Sequence, residues 1–146
     1  MIKIICVGKI KEKYIKEGIK DYLKRLTKYT KVEIIEVEEQ KSLNLESEKI
    51  IKQLKENDYI ISLQLDGEEL NSCQLSAKIN NLYIEGKSSI VFIIGSSHGL
   101  SESLTSKADY KLSFSTLTFP HQLFRLMFLE QLYRSFKIIY NEKYHK

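Results

Sequence analysis

The chain has 146 residues, of which 42% are hydrophobic and 29% charged, with a formal net charge of +4. This length fits a single domain over residues 1–146 and leaves no room for a separate substrate-binding module. No apolar run reaches the length of a membrane span, and the first ten residues lack the apolar centre of a signal peptide. We therefore expect a soluble protein of the reducing cytoplasm, with no membrane partner.

The first half of the chain alternates predicted strands and helices. An Ile-rich run over residues 1–7, closed by Gly8, is typical of a buried strand. Residues 31–38 alternate like a half-covered strand, and residues 43–55 have helical spacing. Between the strands at 1–7 and 31–38, residues 11–31 are predicted to form an amphipathic helix. The apolar side chains of this first helix that we expect to face the core are Tyr14, Ile15, Ile19, Tyr22, Leu23 and Leu26.

The second half continues the alternation. Residues 58–65 are a predicted strand that the turn pair Asp66-Gly67 should end. Residues 71–85 return to helical spacing, and the β-branched run 89–94 is typical of a central strand covered on both faces. A short helix at 101–107 and a last strand at 110–114 follow. The five strands predict an α/β fold with a mainly parallel sheet flanked by helices.

The segment 112–134 runs from the last strand through a polar turn into the final helix. Pro120, the only proline, should lie in the first turn of that helix. Residues 123–140 are apolar at nearly every angle around the helix axis, so one sheet cannot cover them. We therefore expect a second subunit to pack against this helix. The hydroxyls that should crowd the preceding turn and face a ligand belong to Ser113, Ser115, Thr116 and Thr118.

Charge is distributed unevenly along the chain. Residues 1–31 hold ten Lys or Arg against three acids, and residues 32–70 hold eleven acids against four lysines. A basic first helix beside an acidic second helix fits either a phosphate-binding face or two solvated faces. The charges alone leave both interpretations open.

Ligands of open parallel sheets bind at the carboxyl ends of the strands. Three such ends carry unusual residues, at 65–67, 95–99 and 113–121. The chain has neither a G-x-G-x-x-G nor a G-x-x-x-x-G-K-[ST] pattern, which argues against a dinucleotide site or a P-loop. No G-x-S-x-G elbow supports a Ser/His/Asp nucleophile set, although such a set is not excluded.

Metal binding and disulfides find no support in the residue spacings. The three histidines, His98, His121 and His145, lack the spacing of a helix-borne zinc site, and the two cysteines form no metal-ligand pair. Arg125 and Arg134 lie on a very apolar helix, so each must reach a carboxylate, a phosphate or solvent. Glu130 could simply pair with Arg134. By composition, the tail 140–146 would be a frayed end.

Three segments resemble a known family: FIIGSSHGLS (92–101), LSFSTLTFPHQLFRLMFLEQLYR (112–134) and the terminal YHK (144–146). They resemble the SPOUT-class methyltransferases, and among them the small bacterial enzymes that methylate N3 of a pseudouridine in large-subunit ribosomal RNA. The match in length and order covers the whole chain. Its most specific part is T-x-P-H-Q-L…R…E-Q-x-Y-R together with the Tyr-His terminus.

The resemblance implies a deep trefoil knot in the C-terminal part, an obligate homodimer and S-adenosyl-L-methionine held in a bent shape by the knot loops. It also implies that Arg134, Tyr144 and His145 shape the RNA site. The chain departs from the family at Ser96, Ser97 and His98, where a second glycine usually follows the first. The cofactor-binding residues that the resemblance implies are Leu65, Gly95, Phe114, Ser115, Thr116, Leu117, Thr118 and Phe119.

The implied chemistry assigns roles to these residues. N3 of pseudouridine carries a proton that must leave before or during methyl transfer. We hypothesise that Arg134 offsets the developing negative charge, that His145 accepts the proton, and that the basic first helix contacts RNA phosphates. Two alternatives stay open: a non-catalytic ribosome-binding factor of the same fold, and an enzyme of this class that methylates transfer RNA, most often at a ribose oxygen.

Overall fold

The computed structural model describes the whole chain, Met1–Lys146. Five strands form one sheet in the order β2-β1-β4-β3-β5, and every neighbouring pair is parallel. The predicted α/β fold is therefore confirmed, and the sheet is parallel throughout. The elements are β1 (Ile2–Val7), α1 (Lys13–Leu26), β2 (Val32–Val37), α2 (Leu43–Ile51), β3 (Tyr59–Glu69), α3 (Ser72–Ile84), β4 (Ile90–Ile94), α4 (Glu102–Thr105), β5 (Tyr110–Ser113) and α5 (His121–Ile139).

Helices cover both faces of the sheet and form two cores. Alternate strand residues such as Ile4 and Phe92 pack with α1, α3 and α5 in the larger core, whereas Ile5 and Val91 pack with α2 and α4 in the smaller one. Every residue of β1 and of β4 is buried, because each of these strands has a neighbour on both sides and helices above and below. The prediction of a central strand at 89–94 is confirmed.

The arrangement of helices bears on the charge pattern and corrects one prediction about the first helix. The basic α1 and the more acidic α2 lie on opposite faces of the sheet, so they are not neighbours. Tyr14, which we expected in the core, is 62% exposed, whereas Ile15 and Leu26 are buried as predicted.

One residue of the basic segment is not on the surface at all. Lys3 is buried at the amino ends of the strands, where its Nζ lies 3.4 Å from Asp58 Oδ2. The same carboxylate accepts hydrogen bonds from Ser89 Oγ and the Lys55 amide, both at 2.8 Å. A buried charge needs such partners, so this cluster serves the fold.

The predicted end of β3 is wrong. The strand continues through Asp66-Gly67 to Glu69, because a bulge between Leu63 and Glu68 shifts its register against β5. A Cβ at Gly67 would lie 2.7 Å from the backbone of Leu112, so glycine is needed there for close approach of β5 rather than for a turn.

The final helix begins where the proline predicts. Pro120 is the N-cap residue of α5, and its carbonyl accepts the first helical hydrogen bond from Phe124 at 2.8 Å. This places the start of α5 beside the carboxyl ends of the strands. The trefoil knot and the homodimer stay predictions from the resemblance.

Candidate functional site

A cleft of about 630 Å³ opens at the carboxyl ends of β3, β4 and β5, within the size range of about 300–1,000 Å³ that small-molecule sites occupy. Three segments line it: the bulge of β3, the loop 95–101 after β4, and the loop 114–120 before α5. Thr116 lies on the exposed outer side of the third loop and does not line the cleft. Of the predicted cofactor-binding residues, the cleft brings together Leu65, Gly95, Phe114, Ser115, Leu117, Thr118 and Phe119.

The loop 95–101 is a tight turn closed by its own backbone. The Gly99 amide donates to the Ser96 carbonyl at 2.9 Å, and Gly99 has a φ of +81°. A Cβ at Gly95 would lie 2.5 Å from the Gly99 carbonyl oxygen, so a larger residue there would force the loop to move. Ser96, Ser97 and His98 all have negative φ. In this chain, Asn141 is the one non-glycine residue with positive φ. The departure from the family pattern therefore costs no backbone strain.

The loop 114–120 contributes apolar side chains and backbone groups. Its fold is fixed locally, because the Leu117 amide donates to Ser115 Oγ at 3.0 Å. Phe114 and Phe119 form an aromatic cluster with Phe124 of α5, with ring centroids 4.9 Å apart for Phe114 and Phe124. Leu65 and Leu117, 65% and 68% exposed, lie at the mouth. A mostly apolar cleft with a few polar backbone groups is typical of a small-molecule site.

A second cluster of predicted site residues lies near the end of α5. Glu130 Oε1 accepts hydrogen bonds from Arg134 Nη2 at 2.6 Å and from the Tyr144 hydroxyl at 3.0 Å. The Arg134 guanidinium also stacks on the Tyr144 ring, 4.8 Å from its centroid. Burial, followed by hydrogen bonds to Tyr22 and Glu130, raises the pKa of Tyr144 well above its ordinary value. Tyr144 therefore stays a neutral donor to Glu130.

His145 completes this cluster through its contact with Arg134. The Arg134 Nη1 atom lies 3.1 Å from His145 Nδ1. A guanidinium has no acceptor, so Nδ1 must be the unprotonated ring nitrogen and accept this hydrogen bond. The proton of the neutral imidazole then lies on Nε2. Two N–H groups of Arg134, one on each terminal nitrogen, are left for a ligand.

The tail is held in place, so the prediction of a frayed end is wrong. Glu142 accepts hydrogen bonds from Lys28 Nζ at 3.1 Å, Lys137 Nζ at 3.0 Å and the Tyr29 hydroxyl at 2.9 Å. These donors, with Lys137 contributing most, lower the pKa of Glu142 to about 2. Composition gave no sign of this, because two of the three partners, Lys28 and Tyr29, lie more than a hundred residues away in the turn after α1.

The cleft and the Arg134 cluster do not meet within one chain. Phe124 lines the cleft, and Arg134 follows ten residues later on the same helix, about 15 Å along its axis. The fold thus separates two groups of residues that the resemblance assigns to one site.

Arg125, the other arginine of α5, belongs to neither group. It is 2% exposed, and it donates to Glu36 Oε2 at 2.7 Å and to the Gly8 carbonyl at 3.0 Å. Its Nε atom has no partner within the protein. This arginine ties α5 to β2 and to the end of β1, so its role is in the fold.

Sequence reasoning missed Glu142 and Glu46, and it treated Glu130 only as a partner of Arg134. The i,i+4 spacing was enough to find Glu130, but no local signal marks Glu46, a buried residue of α2 that contacts the loop 95–101. No group of three or more His, Cys, Asp or Glu side chains is arranged to hold a metal ion. None of the helices combines the length and apolarity that crossing a bilayer would take.

Comparison with known proteins places this geometry in a family. The sequence profile of a family described as "Predicted SPOUT methyltransferase" matches residues 1–145. Proteins named ribosomal RNA large subunit methyltransferase H are 51% identical in Finegoldia magna, 50% in Alkaliphilus oremlandii and 49% in Acetivibrio thermocellus, and each match covers 99% of both chains.

A solved structure supports the fold independently of close sequence similarity. The structure of a probable methylase family protein from Haemophilus influenzae superposes with a TM-score of 0.54 at 15% identity, covering 96% of this chain and 66% of that one. This likeness concerns the fold alone. The profile match over nearly the whole chain and the relatives at about half identity show that the chain is an enzyme of the SPOUT methyltransferase family.

Proposed function

We propose that the protein methylates N3 of a pseudouridine in large-subunit ribosomal RNA, with S-adenosyl-L-methionine as donor and as a homodimer. The observation that carries this proposal is the cleft, because seven of the eight predicted cofactor-binding residues line one cavity at the carboxyl ends of the strands. The relatives named ribosomal RNA large subunit methyltransferase H support the choice of RNA.

The cleft residues fit the proposed donor, which supplies an electrophilic methyl group on a sulfonium. Apolar side chains such as Leu65, Leu117 and Phe119 would cover the adenine, and backbone groups of the loops 95–101 and 114–120 would bind its polar edge and the methionine moiety. Methyl transfer to a nitrogen lone pair depends mainly on positioning, which such rigid loops supply.

A homodimer would bring the two separated groups of residues together. Leu123, Met127, Glu130 and Arg134 follow each other at helical spacing along one face of α5, and all four are half-buried in the single chain. A twofold axis across this face would set two α5 helices antiparallel. Each Arg134 would then lie beside the cleft of the partner.

Arg134 is the residue that we propose to stabilise the anion that forms at N3. Its two unused N–H groups can donate to a uracil-ring oxygen that gains charge as the proton leaves. Glu130 and Tyr144 hold the guanidinium in place. His145 can accept the proton at Nδ1 only if its contact with Arg134 breaks, so we propose that RNA displaces this contact.

The RNA would reach the site along the basic side of the first helix. Eight basic side chains between residues 9 and 28 are exposed, and the segment before α1 is tied to the start of α5, because the Lys11 amide donates to Gln122 Oε1 at 2.8 Å. This puts positive charge near the cleft, where it can contact phosphates. Those side chains are Lys9, Lys11, Lys13, Lys16, Lys20, Lys24, Arg25 and Lys28.

Mass spectrometry of ribosomal RNA from a strain that lacks the gene tests this function. We expect one N3-methylated pseudouridine to be lost from the large-subunit RNA, and purified protein with S-adenosylmethionine to restore it on ribosomes from that strain. Loss of a methyl group from transfer RNA instead would favour the transfer RNA enzyme. No binding of S-adenosylmethionine in calorimetry would favour the non-catalytic ribosome-binding factor.

A further inference from the structure

The loop 95–101 is held from outside the cleft by α2. Glu46, in the first turn of this helix, is only 4% exposed, although it carries a carboxylate. Its Oε1 accepts a hydrogen bond from Ser96 Oγ at 3.2 Å, and its Oε2 accepts one from the Gln40 amide at 3.1 Å. A buried carboxylate with few partners is costly for the fold, so a use for it is expected.

Ser96 connects this carboxylate to the backbone of the loop. While its hydroxyl donates to Glu46, the same Oγ accepts a hydrogen bond from the His98 amide at 3.3 Å. Ser96 itself and its neighbour Gly95 line the cleft, and the carbonyl of Gly99 lies close over Gly95. A change in the position of Ser96 would therefore move backbone groups that line the cleft.

The other end of the loop is held by the next residue of the same helix. Ser47 Oγ and Ser101 Oγ, both buried, form a hydrogen bond to each other. Ser101 is the N-cap residue of α4, and its Oγ also accepts from the Leu104 amide at 3.3 Å. Two consecutive residues of α2 thus hold the two ends of one loop.

We propose that Glu46 is a positioning residue for the cofactor, acting through the Ser96 hydroxyl on the loop 95–101. The proposal rests on the proposed function of the cleft. Glu46 touches neither the cleft nor any reacting group, and its effect is on the shape of the loop.

Calorimetry with S-adenosylmethionine on Glu46→Ala, Ser96→Ala and the double variant tests the proposal. Each single change removes a hydrogen bond to a charged group, so we expect Kd to rise about ten-fold. Both residues act through one contact, so their effects should not add. The Kd of the double variant should be at most about two-fold higher than that of the single variant that binds S-adenosylmethionine less tightly. Glu46→Gln keeps an acceptor oxygen and should recover part of the affinity.

Asp58→Asn is the matched control. Asp58 is also a buried carboxylate with backbone and serine donors, but it lies at the amino ends of the strands, opposite the cleft. Urea unfolding should show lower stability for this variant, with the wild-type Kd for S-adenosylmethionine. If Asp58→Asn also bound S-adenosylmethionine more weakly, in proportion to its loss of stability, lower stability alone would explain the loss of affinity. Glu46 would then act only on the stability of the fold.

The remaining outcomes separate this proposal from the function on which it rests. Folded Glu46→Ala and Ser96→Ala proteins with the wild-type Kd would overturn it, and Ser96→Ala decides alone if Glu46→Ala does not fold. If the wild-type protein binds no S-adenosylmethionine, the proposed function fails. Hydrogen exchange then still reports on the anchor: amides of residues 95–101 should exchange faster in Ser96→Ala than in wild type, and equal rates would overturn the inference.

Discussion

The two ends of α5 are built by different physical means. At its start, the cleft consists of tight backbone turns and apolar side chains, and its shape depends on close approaches such as that of Gly95 to Gly99. At its end, the cluster around Arg134 consists of charged and polar side chains tied to Glu130 and Glu142. The first region should be sensitive to added volume, and the second to changes of charge and pH.

The largest effect should come from removing the charge at the end of α5. We expect Arg134→Ala to lower kcat for ribosome methylation by about 100-fold or more, because it deletes the donors that face the developing anion. The Kd for S-adenosylmethionine should stay at the wild-type value. Arg134→Lys keeps the charge but not the planar contacts with Glu130, so it should recover only part of kcat. A kcat within two-fold of wild type would remove Arg134 from the mechanism.

The next largest effect should come from added volume at the start of α5. A Cβ at Gly95 would lie 2.5 Å from the Gly99 carbonyl oxygen and 2.8 Å from Leu100 Cδ2, so the loop must move. Overpacking of this kind costs about 2 kcal/mol, which corresponds to a rise of about thirty-fold in the Kd for S-adenosylmethionine.

Gly18→Ala is the control for this substitution. Its Cβ would meet only the end of the Leu126 side chain, 2.8 Å away, and that flexible end can shift. We expect wild-type affinity for S-adenosylmethionine and little change in the free energy of unfolding, since alanine also favours the helix. If Gly95→Ala and Gly18→Ala bound equally well, the cleft would not depend on the closed turn.

A smaller effect should follow from loosening the tail. Glu142→Gln removes the charge that holds Lys28 and Lys137, so the segment that carries Tyr144 and His145 should become more mobile. We expect a few-fold loss in kcat/KM on ribosomes with no change in the Kd for S-adenosylmethionine. Hydrogen exchange of residues 141–146 measures the loosening directly, and unchanged exchange would show that other contacts suffice.

The smallest effect is a dependence of stability on pH. The pKa of Glu142 is lowered from 4.5 to about 2 in the folded protein. A lowered pKa stabilises the folded state above the unfolded value, so this contribution is complete above about pH 4.5 and is lost as pH falls toward 2. Urea unfolding of wild type and Glu142→Gln should differ by a constant amount from pH 5 to 8 and converge at lower pH. A difference that stayed constant down to pH 2 would contradict this assignment.

Much of the fold could be predicted because its signals are local. The buried run of β4 and the start of α5 at Pro120 follow from side-chain type and spacing, and the structure confirms both, with Pro120 at the N-cap just before the predicted first turn. The prediction that β3 ends at Asp66-Gly67 was wrong. An Asp-Gly pair occurs in both turns and bulges, and here the pairing of β3 with β5 makes it part of a bulge. Tyr14 likewise has a core-like spacing, but it is the second residue of α1 and is 62% exposed.

The candidate site was only partly predictable for the same reason. The resemblance supplied the loops of the cleft and the residues at the end of α5, but it could not place the two groups relative to one another along a helix. Glu46 and Glu142 were missed because the contacts that tie them to the loop 95–101 and to the turn after α1, with Ser96 and Lys28, join residues far apart in the chain. An acid is ordinarily solvated, and nothing in its neighbours along the sequence marks an exception.

The sequence by itself determined the alternation of strands and helices, the buried centre of the sheet and the start of α5, since these depend on hydrophobic spacing and on one proline. Only the tertiary structure decided which acids anchor the loop 95–101 and the tail, because hydrogen bonds between distant residues form only once the sheet has brought their helices together. It also decided that Phe124 lines the cleft, whereas Arg134, about 15 Å further along the axis of α5, does not.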